Sequence, residues 1–174
     1  MKTPCVLALL ACTTLLPMAA FAQAPAAAPP APRPPARAPA TDVAVEMAQT
    51  AIRTCLAKGF KVGASVVDAD GAVRVLLVGD GGVSLLGDIA TRKAAASAIF
   101  KDTTTHIAQQ MKTDEALAAR IKAEPNRFFT FAGGVPLVVG GEVIGALGVG
   151  GAPDSLQDEL CAMAAIAAVQ SRLK

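Results

Sequence analysis

The sequence predicts an α+β domain in which helices pack on an antiparallel sheet. Three observations point there. The hydrophobic period switches between helical and strand-like in the order helix, two strands, helices, three strands, helix. That order lacks the regular β-α-β alternation of a parallel nucleotide-binding sheet. Gly and Asp residues also punctuate the strand-like runs at hairpin spacing, as in Asp68-Ala69-Asp70-Gly71 and Gly140-Gly141.

The first element is a helix. Thr41-Asp42 precedes VAVEMAQTAIRTCLAKG, so a Thr or Asp side chain is expected to accept the free N–H groups of the first turn. Gly59 stands where a C-terminal glycine belongs, and Val45, Ala48, Ile52 and Leu56 predict the buried face. Two β-branched runs, near 62–68 and 72–78, flank the Asp-rich turn and form a hairpin with Gly71 at positive φ. The aspartates there do not make a calcium site, because the ligand loop ending in Glu is missing. After Gly79-Asp80-Gly81-Gly82, VSLLGDIATRKAAASAIF reads as an alanine-rich helix carrying Asp88, Arg92 and Lys93. Shorter helices near 104–112 and 114–123 precede Pro125. Strands are expected near 127–132, 135–140 and 142–149. From Pro153, with Asp154 and Asp158 in its first turns, a last helix runs through CAMAAIAAVQSRL.

The ends set the compartment. Residues 1–22 carry one Lys, an apolar core from Val6 to Leu16 and the small-x-small pattern Ala20-Phe21-Ala22, which together predict a cleaved export signal. Its core is too short to span a bilayer. Leu9-Leu10-Ala11-Cys12 resembles a lipoprotein cleavage site, but too few apolar residues precede it, so cleavage after Ala22 is expected. Residues 23–40 read as a disordered Pro/Ala-rich linker, with seven prolines between Ala24 and Ala40.

Residues 41–174 then make one domain. Lys2, Arg33 and Arg37 account for three of the 16 basic residues, leaving 13 against 14 acidic ones in the domain. It is therefore close to neutral and has no basic block, which argues against nucleic acid as a partner. No second apolar span follows, so no membrane span is expected, and the location is periplasmic or secreted. Cys5 and Cys12 leave with the signal. The mature chain keeps Cys55 and Cys161, an even pair in an oxidising compartment, each in a predicted helix. A disulfide between them is expected; two separately buried thiols are the alternative.

Residues 133–151 contain eight glycines and look at first like a phosphate loop. A Walker loop needs a Lys and a hydroxyl to hold phosphate and magnesium, and no Lys lies between Gly145 and Ser155. Gly148-Val149-Gly150-Gly151 does not meet the dinucleotide fingerprint either. The glycines instead strip side chains from the sheet, so that a helix, a second subunit or a flat apolar ligand packs closely on it. Hydrolytic and zinc chemistry lack their residues: His106 is the sole histidine, and Gly-x-Ser-x-Gly does not occur. His106 reads as a helix-start surface or interface group, or as an axial ligand to haem iron. Arg92-Lys93 reads as a solvated face or as a clamp for carboxylate or propionate. Phe128, Phe129 and Phe131 read as edge and core packing or as a stacking platform.

VVDADG in the hairpin, TRKAAASAIF in the middle helix and GGVPLVVGGEVIGALGVGGAPDSLQDELCAMA together resemble the GlcG/HbpS haem-binding family, over roughly residues 42–172. The resemblance implies a profilin-like fold with a five-stranded antiparallel sheet. It also implies homo-oligomers and, for some members, binding of haem or a related tetrapyrrole outside the membrane. Members include sensor accessories, proteins accompanying glycolate metabolism and domains attached to corrinoid enzymes, so a corrinoid is a further cofactor class. The exported branch carries a cysteine in each terminal helix, as Cys55 and Cys161 do here. Arg92-Lys93, Gly133-Gly134 and Gly148 to Gly151 occupy the family's signature positions.

The expected function is an exported, non-enzymatic haem or tetrapyrrole binder, a carrier or sensor accessory. Arg92 or Lys93 would lie near the propionates, with Phe131, Gly133 and Gly134 as further ligand contacts and His106 as the iron ligand. The alternatives are a structural accessory protein that binds a protein partner, and an oxidative haem-degrading enzyme, for which the residues supply no clear catalytic set.

Overall fold

The computed structural model describes residues 37–174. The expected export signal, the lipoprotein-like Cys12 and most of the expected linker lie outside that range. The elements are α1 (Thr41–Leu56), β1 (Gly63–Asp68), β2 (Val73–Val78), α2 (Ser84–Phe100), α3 (Thr104–Gln110), α4 (Glu115–Ala123), β3 (Gly134–Val139), β4 (Glu142–Gly150) and α5 (Ser155–Val169). One 3-10 turn, Gln170–Arg172, follows α5.

The strands form one antiparallel sheet in the order β2-β1-β4-β3. Strand β1 is central and all six of its residues are buried, whereas β2 is an edge strand with Val73, Leu76 and Val78 exposed. Period two divides the two central strands between two helical layers. Ala64, Val66, Leu147 and Val149 face α1 and α5 in the main core. Val67 and Ala146 face Ala94 and Ala98 of α2. Among the described residues, α1 and α5, the sheet, and α2 therefore make three layers, with α3 and α4 packed against α2.

The glycines explain how closely α2 approaches. A Cβ at Gly148 would lie 2.0 Å from the Ala90 oxygen and 2.6 Å from the Ala94 nitrogen. Cβ atoms at Gly63 and Gly150 would come to 2.6 Å from Leu86 and Ile89 of the same helix. The bare stretch of sheet is thus occupied by the chain's own helix, with Thr91 Oγ1 also 3.1 Å from Ser65 Oγ across the joint. Gly148→Ala is expected to destabilise the protein by about 1–3 kcal/mol or more, since backbone on both sides prevents relaxation. A urea midpoint equal to that of the parent would contradict this packing.

Two expectations are corrected. The sheet has four strands among the described residues, and 127–132 is turn and irregular chain instead of a fifth. The cause is Phe128, which is buried in a satellite cluster with Ala95, Ala96, Ile107 and Ile121. The Phe129 N–H then donates to the Arg92 oxygen at 3.3 Å, so this segment is tied to α2 and not to the edge of β3. Helix α1 also starts differently. Ala40 occupies the N-cap with no side-chain hydrogen bond, and Thr41 and Asp42 are already helical. Its buried face is Val43, Ala44, Met47, Ala48, Ala51 and Cys55, while Leu56 is exposed. The smaller residues are inward because α1 lies against the alanine-rich α5.

That α1–α5 contact is covalently closed. Cys55 and Cys161 form a disulfide, with Cα atoms 5.7 Å apart and both residues fully buried. Helices α3 and α4 are capped by the side chains of Thr103 and Asp114, which accept from the His106 and Leu117 N–H groups. No helix among the described residues is long and apolar enough to cross a membrane.

Candidate functional site

Helix α2 carries Lys93 inward because the residues around it are small. Ala90, Ala94, Ala96 and Ser97 are all buried, so the face of the helix that carries Lys93 is packed inside the protein, while Asp88 and Arg92 stand on the outer face. The Lys93 side chain is 2% exposed, and its Nζ lies 2.8 Å from Oδ2 of Asp158, itself 1% exposed. Asp158 comes from α5, whose N-cap Asp154 accepts from the Leu156 N–H at 3.0 Å. The second oxygen of Asp158 accepts from the Ala152 N–H at 2.9 Å, which holds the β4–α5 loop in place. Burial keeps Lys93 below the ordinary ammonium value against the pull of Asp158. Burial likewise pushes Asp158 above the ordinary carboxylate value, against Lys93 and the N–H groups of Ala152 and Gly151.

The neighbouring carboxylate serves geometry. Glu159 Oε2 accepts from Thr105 Oγ1 at 2.6 Å and from the Gly133 N–H at 3.3 Å, joining α5, α3 and the entry to β3. The Gly134 N–H donates to Thr104 Oγ1 at 2.9 Å. Gly133 has φ +124°, and a Cβ there would press to 2.9 Å on both Lys93 Nζ and the Asp158 side chain. Only glycine leaves room for the buried pair at that point.

Above the pair lies an open cleft of ≈ 560 Å³, with Leu86, Ile89, Phe129 and Phe131 as apolar wall and the start of α5 as the opposite side. A second cleft of ≈ 280 Å³ adjoins it, between Phe131, Leu156 and the Thr105, Ala108, Gln109 and Lys112 side of α3. Phe131 belongs to both clefts and is 63% exposed, with its ring stacked on Phe129 at 4.9 Å. The other face of this aromatic pair is backed by Arg92, whose guanidinium carbon is 5.1 Å from the Phe129 ring centre.

The structure thus brings Lys93, Phe131 and Gly133 together, with Gly134 packed beneath against the main chain of Lys93. Arg92 stands behind the wall. It donates to the Pro125 oxygen and lies 3.7 Å from Asp88, and its Nε is buried with no partner among the described residues. His106 lines neither cleft. It is 56% exposed on the flank of α3, with Nδ1 2.5 Å from Asp102 Oδ2. Sequence reasoning passed over Asp158, Glu159 and Lys112. Asp158 had one legible signal: a Lys embedded among alanines needs a buried anion.

Residues 40–167 match the model of a family described as "Haem degrading protein HbpS-like". The crystal structure of a double mutant of HbpS from Streptomyces reticuli is 30% identical, over 85% of this chain and 98% of its own, with a TM-score of 0.70. That of the Klebsiella pneumoniae protein ORFY is 25% identical, over 80% and 95%, with a TM-score of 0.71. A PduOC–haem complex is 26% identical, over 75% and 94%, with a TM-score of 0.68. A comparison with curated proteins returned no match.

Proposed function

The chain belongs to the HbpS-like family of haem-degrading proteins, and from that premise we propose that it is an exported, non-enzymatic binder of haem or a related tetrapyrrole, acting as a homo-oligomer outside the cytoplasm. The observation that carries this reading is Phe131, an exposed aromatic ring standing between two adjoining apolar-walled clefts. Such a ring offers a stacking face to a flat apolar ligand, and the larger cleft is of ligand size. Support also comes from the PduOC–haem complex among the similar structures. Lys112 at the smaller cleft is the cation best placed for a ligand carboxylate, because Lys93 is neutralised by Asp158. Arg92 stands behind the aromatic wall and backs Phe129 without lining either cleft.

His106 is the proposed iron ligand. Asp102 holds its Nδ1, which leaves Nε2 as the donor, an arrangement that orients a ligating imidazole. When bound, haem supplies redox and ligand-binding chemistry at its iron. The histidine stands outside the clefts, so ligation by it requires the ring to extend from Phe131 across the flank of α3. Export is supported by the disulfide together with the amino-terminal signal pattern.

Titration of haemin into the purified domain is expected to shift the Soret band to saturation. Phe131→Ala should weaken binding roughly tenfold, the order of one lost aromatic contact. His106→Ala should change the bound spectrum without abolishing binding. No Soret shift in the parent protein would sink the reading. The same titration with ascorbate separates carriage, in which the spectrum persists, from haem breakdown, the activity in the family's description.

A further inference from the structure

The two edges of the sheet are guarded unequally. Strand β3 holds Pro136, which has no N–H to offer a new strand, and its register breaks between Leu137 and Val138. Strand β2 reads VRVLLV, with one charge, Arg74, and neither proline nor lysine. Its single irregularity falls at Val66/Val67, beside the turn, and the pairing is regular from Val75 to Val78. The Gly79 N–H donates inward to the Val62 oxygen, so by the alternation of an antiparallel ladder Val75 and Leu77 also bond inward. The N–H and C=O groups of Leu76 and Val78 therefore point away from β1, and no strand meets them among the described residues.

Both faces of β2 are apolar up to that edge. On the α2 side, Leu76 and Val78 stand exposed, with exposed Val83 and Leu85 at the start of the helix. On the α1 side, exposed Leu56 borders a cleft of ≈ 430 Å³ together with Ile52 and Leu77. An unguarded edge with apolar surface in both layers fits a sheet that continues into another chain. The charges favour a second copy as that chain. Arg74 and Asp80 lie exposed at opposite ends of β2, and neither forms an ion pair among the described residues. An antiparallel copy brings Arg74 of each chain beside the Asp80 end of the other, so the match is made twice.

We infer that β2 is an interface between two copies of this chain, paired antiparallel about a two-fold axis at Leu76, so that their two sheets run on as one. The inference rests on the homo-oligomer of the proposed function and assigns it one interface.

Sedimentation of the purified protein is expected to show an oligomer. Leu76→Lys sets two ammonium groups opposite each other at the axis and should raise the dissociation constant at least tenfold. Leu76→Cys gives a second readout. Residues that exchange both hydrogen bonds across such a pair have Cα atoms about 5.5 Å apart, within disulfide range, and Cys55 and Cys161 are already joined to each other. In protein that has lost residues 1–22, mild oxidation should then link two chains, whereas Arg74→Cys, whose copy lies away from it, should give no link. If Leu76→Lys does not fold, charge reversal decides. Arg74→Asp and Asp80→Arg should each weaken the dimer about tenfold, and the two together should restore it to within twofold of the parent. A parent that stays monomeric throughout the micromolar range overturns both this interface and the homo-oligomer. An oligomer unmoved by Leu76→Lys, and not linked through Leu76→Cys, overturns the β2 interface alone and leaves the homo-oligomer standing on another face.

Discussion

Lys93→Met alone is expected to lower the unfolding free energy by about 3–5 kcal/mol, and Asp158→Leu alone by a similar amount. Either change leaves an uncompensated charge in the layer between α2 and α5, where each partner is almost fully buried. The double change should recover most of the loss, and about 1–4 kcal/mol of added stability is within the range seen when a buried pair is replaced by apolar side chains. This follows from the direction of both titrations, since burial outweighs mutual attraction for each group.

The sign with pH is then set. Asp158, raised in the folded state, contributes stability that is present below the ordinary carboxylate value and is lost as pH rises through its folded value. Lys93, lowered in the folded state, contributes stability that is present above the ordinary ammonium value and is lost as pH falls through its folded value. Between those windows the full desolvation cost is present. Urea unfolding at neutral pH of both single variants and the double variant measures the coupling. Additive single effects would show that the two side chains do not act as a pair.

Removing the disulfide is the other large effect. Cys55 and Cys161 are 106 positions apart, so the link restricts a long segment of the unfolded chain. Replacing both cysteines by alanine is expected to cost about 2–5 kcal/mol. A reductant should lower the denaturant midpoint of the parent by the same amount and leave the double variant unmoved. A parent midpoint indifferent to reductant would show that the bond contributes nothing in solution.

Local chemistry was legible wherever a residue type leaves few choices. The Asp68–Gly71 turn reads directly from Asp and Gly, and Gly71 does adopt φ +81°. The central strands could be placed because Val66-Val67 and Ile144 sit in β-branched or apolar runs bounded by glycine. What escaped depends on partners distant in sequence. Phe128 looks like the second residue of a strand, and only the cluster made by α2, α3 and α4 explains why it leaves the sheet. Lys93 looks solvated beside Arg92, and its burial depends on Asp158, 65 positions later. In α1 the expected inward face was Val45, Ala48, Ile52 and Leu56; Ala48 is buried, but the close approach of α5 favours Ala44 and Ala51 beside it. The candidate site was legible only in pieces. Phe131 and Gly133 were named from the sequence, and their meeting with Glu159 and Asp158 is tertiary.

The bond between α1 and α5 also governs what happens when the main chain is broken. Everything from β1 to the first turns of α5 lies inside one covalent ring. A protease that nicks an exposed connection, such as the turn at Glu124–Arg127, opens that ring without releasing a fragment. The two pieces stay joined through sulfur and remain threaded through the same sheet. In an environment rich in proteases, such a molecule tolerates a first cut and comes apart only after a second cut within the ring or a reduction.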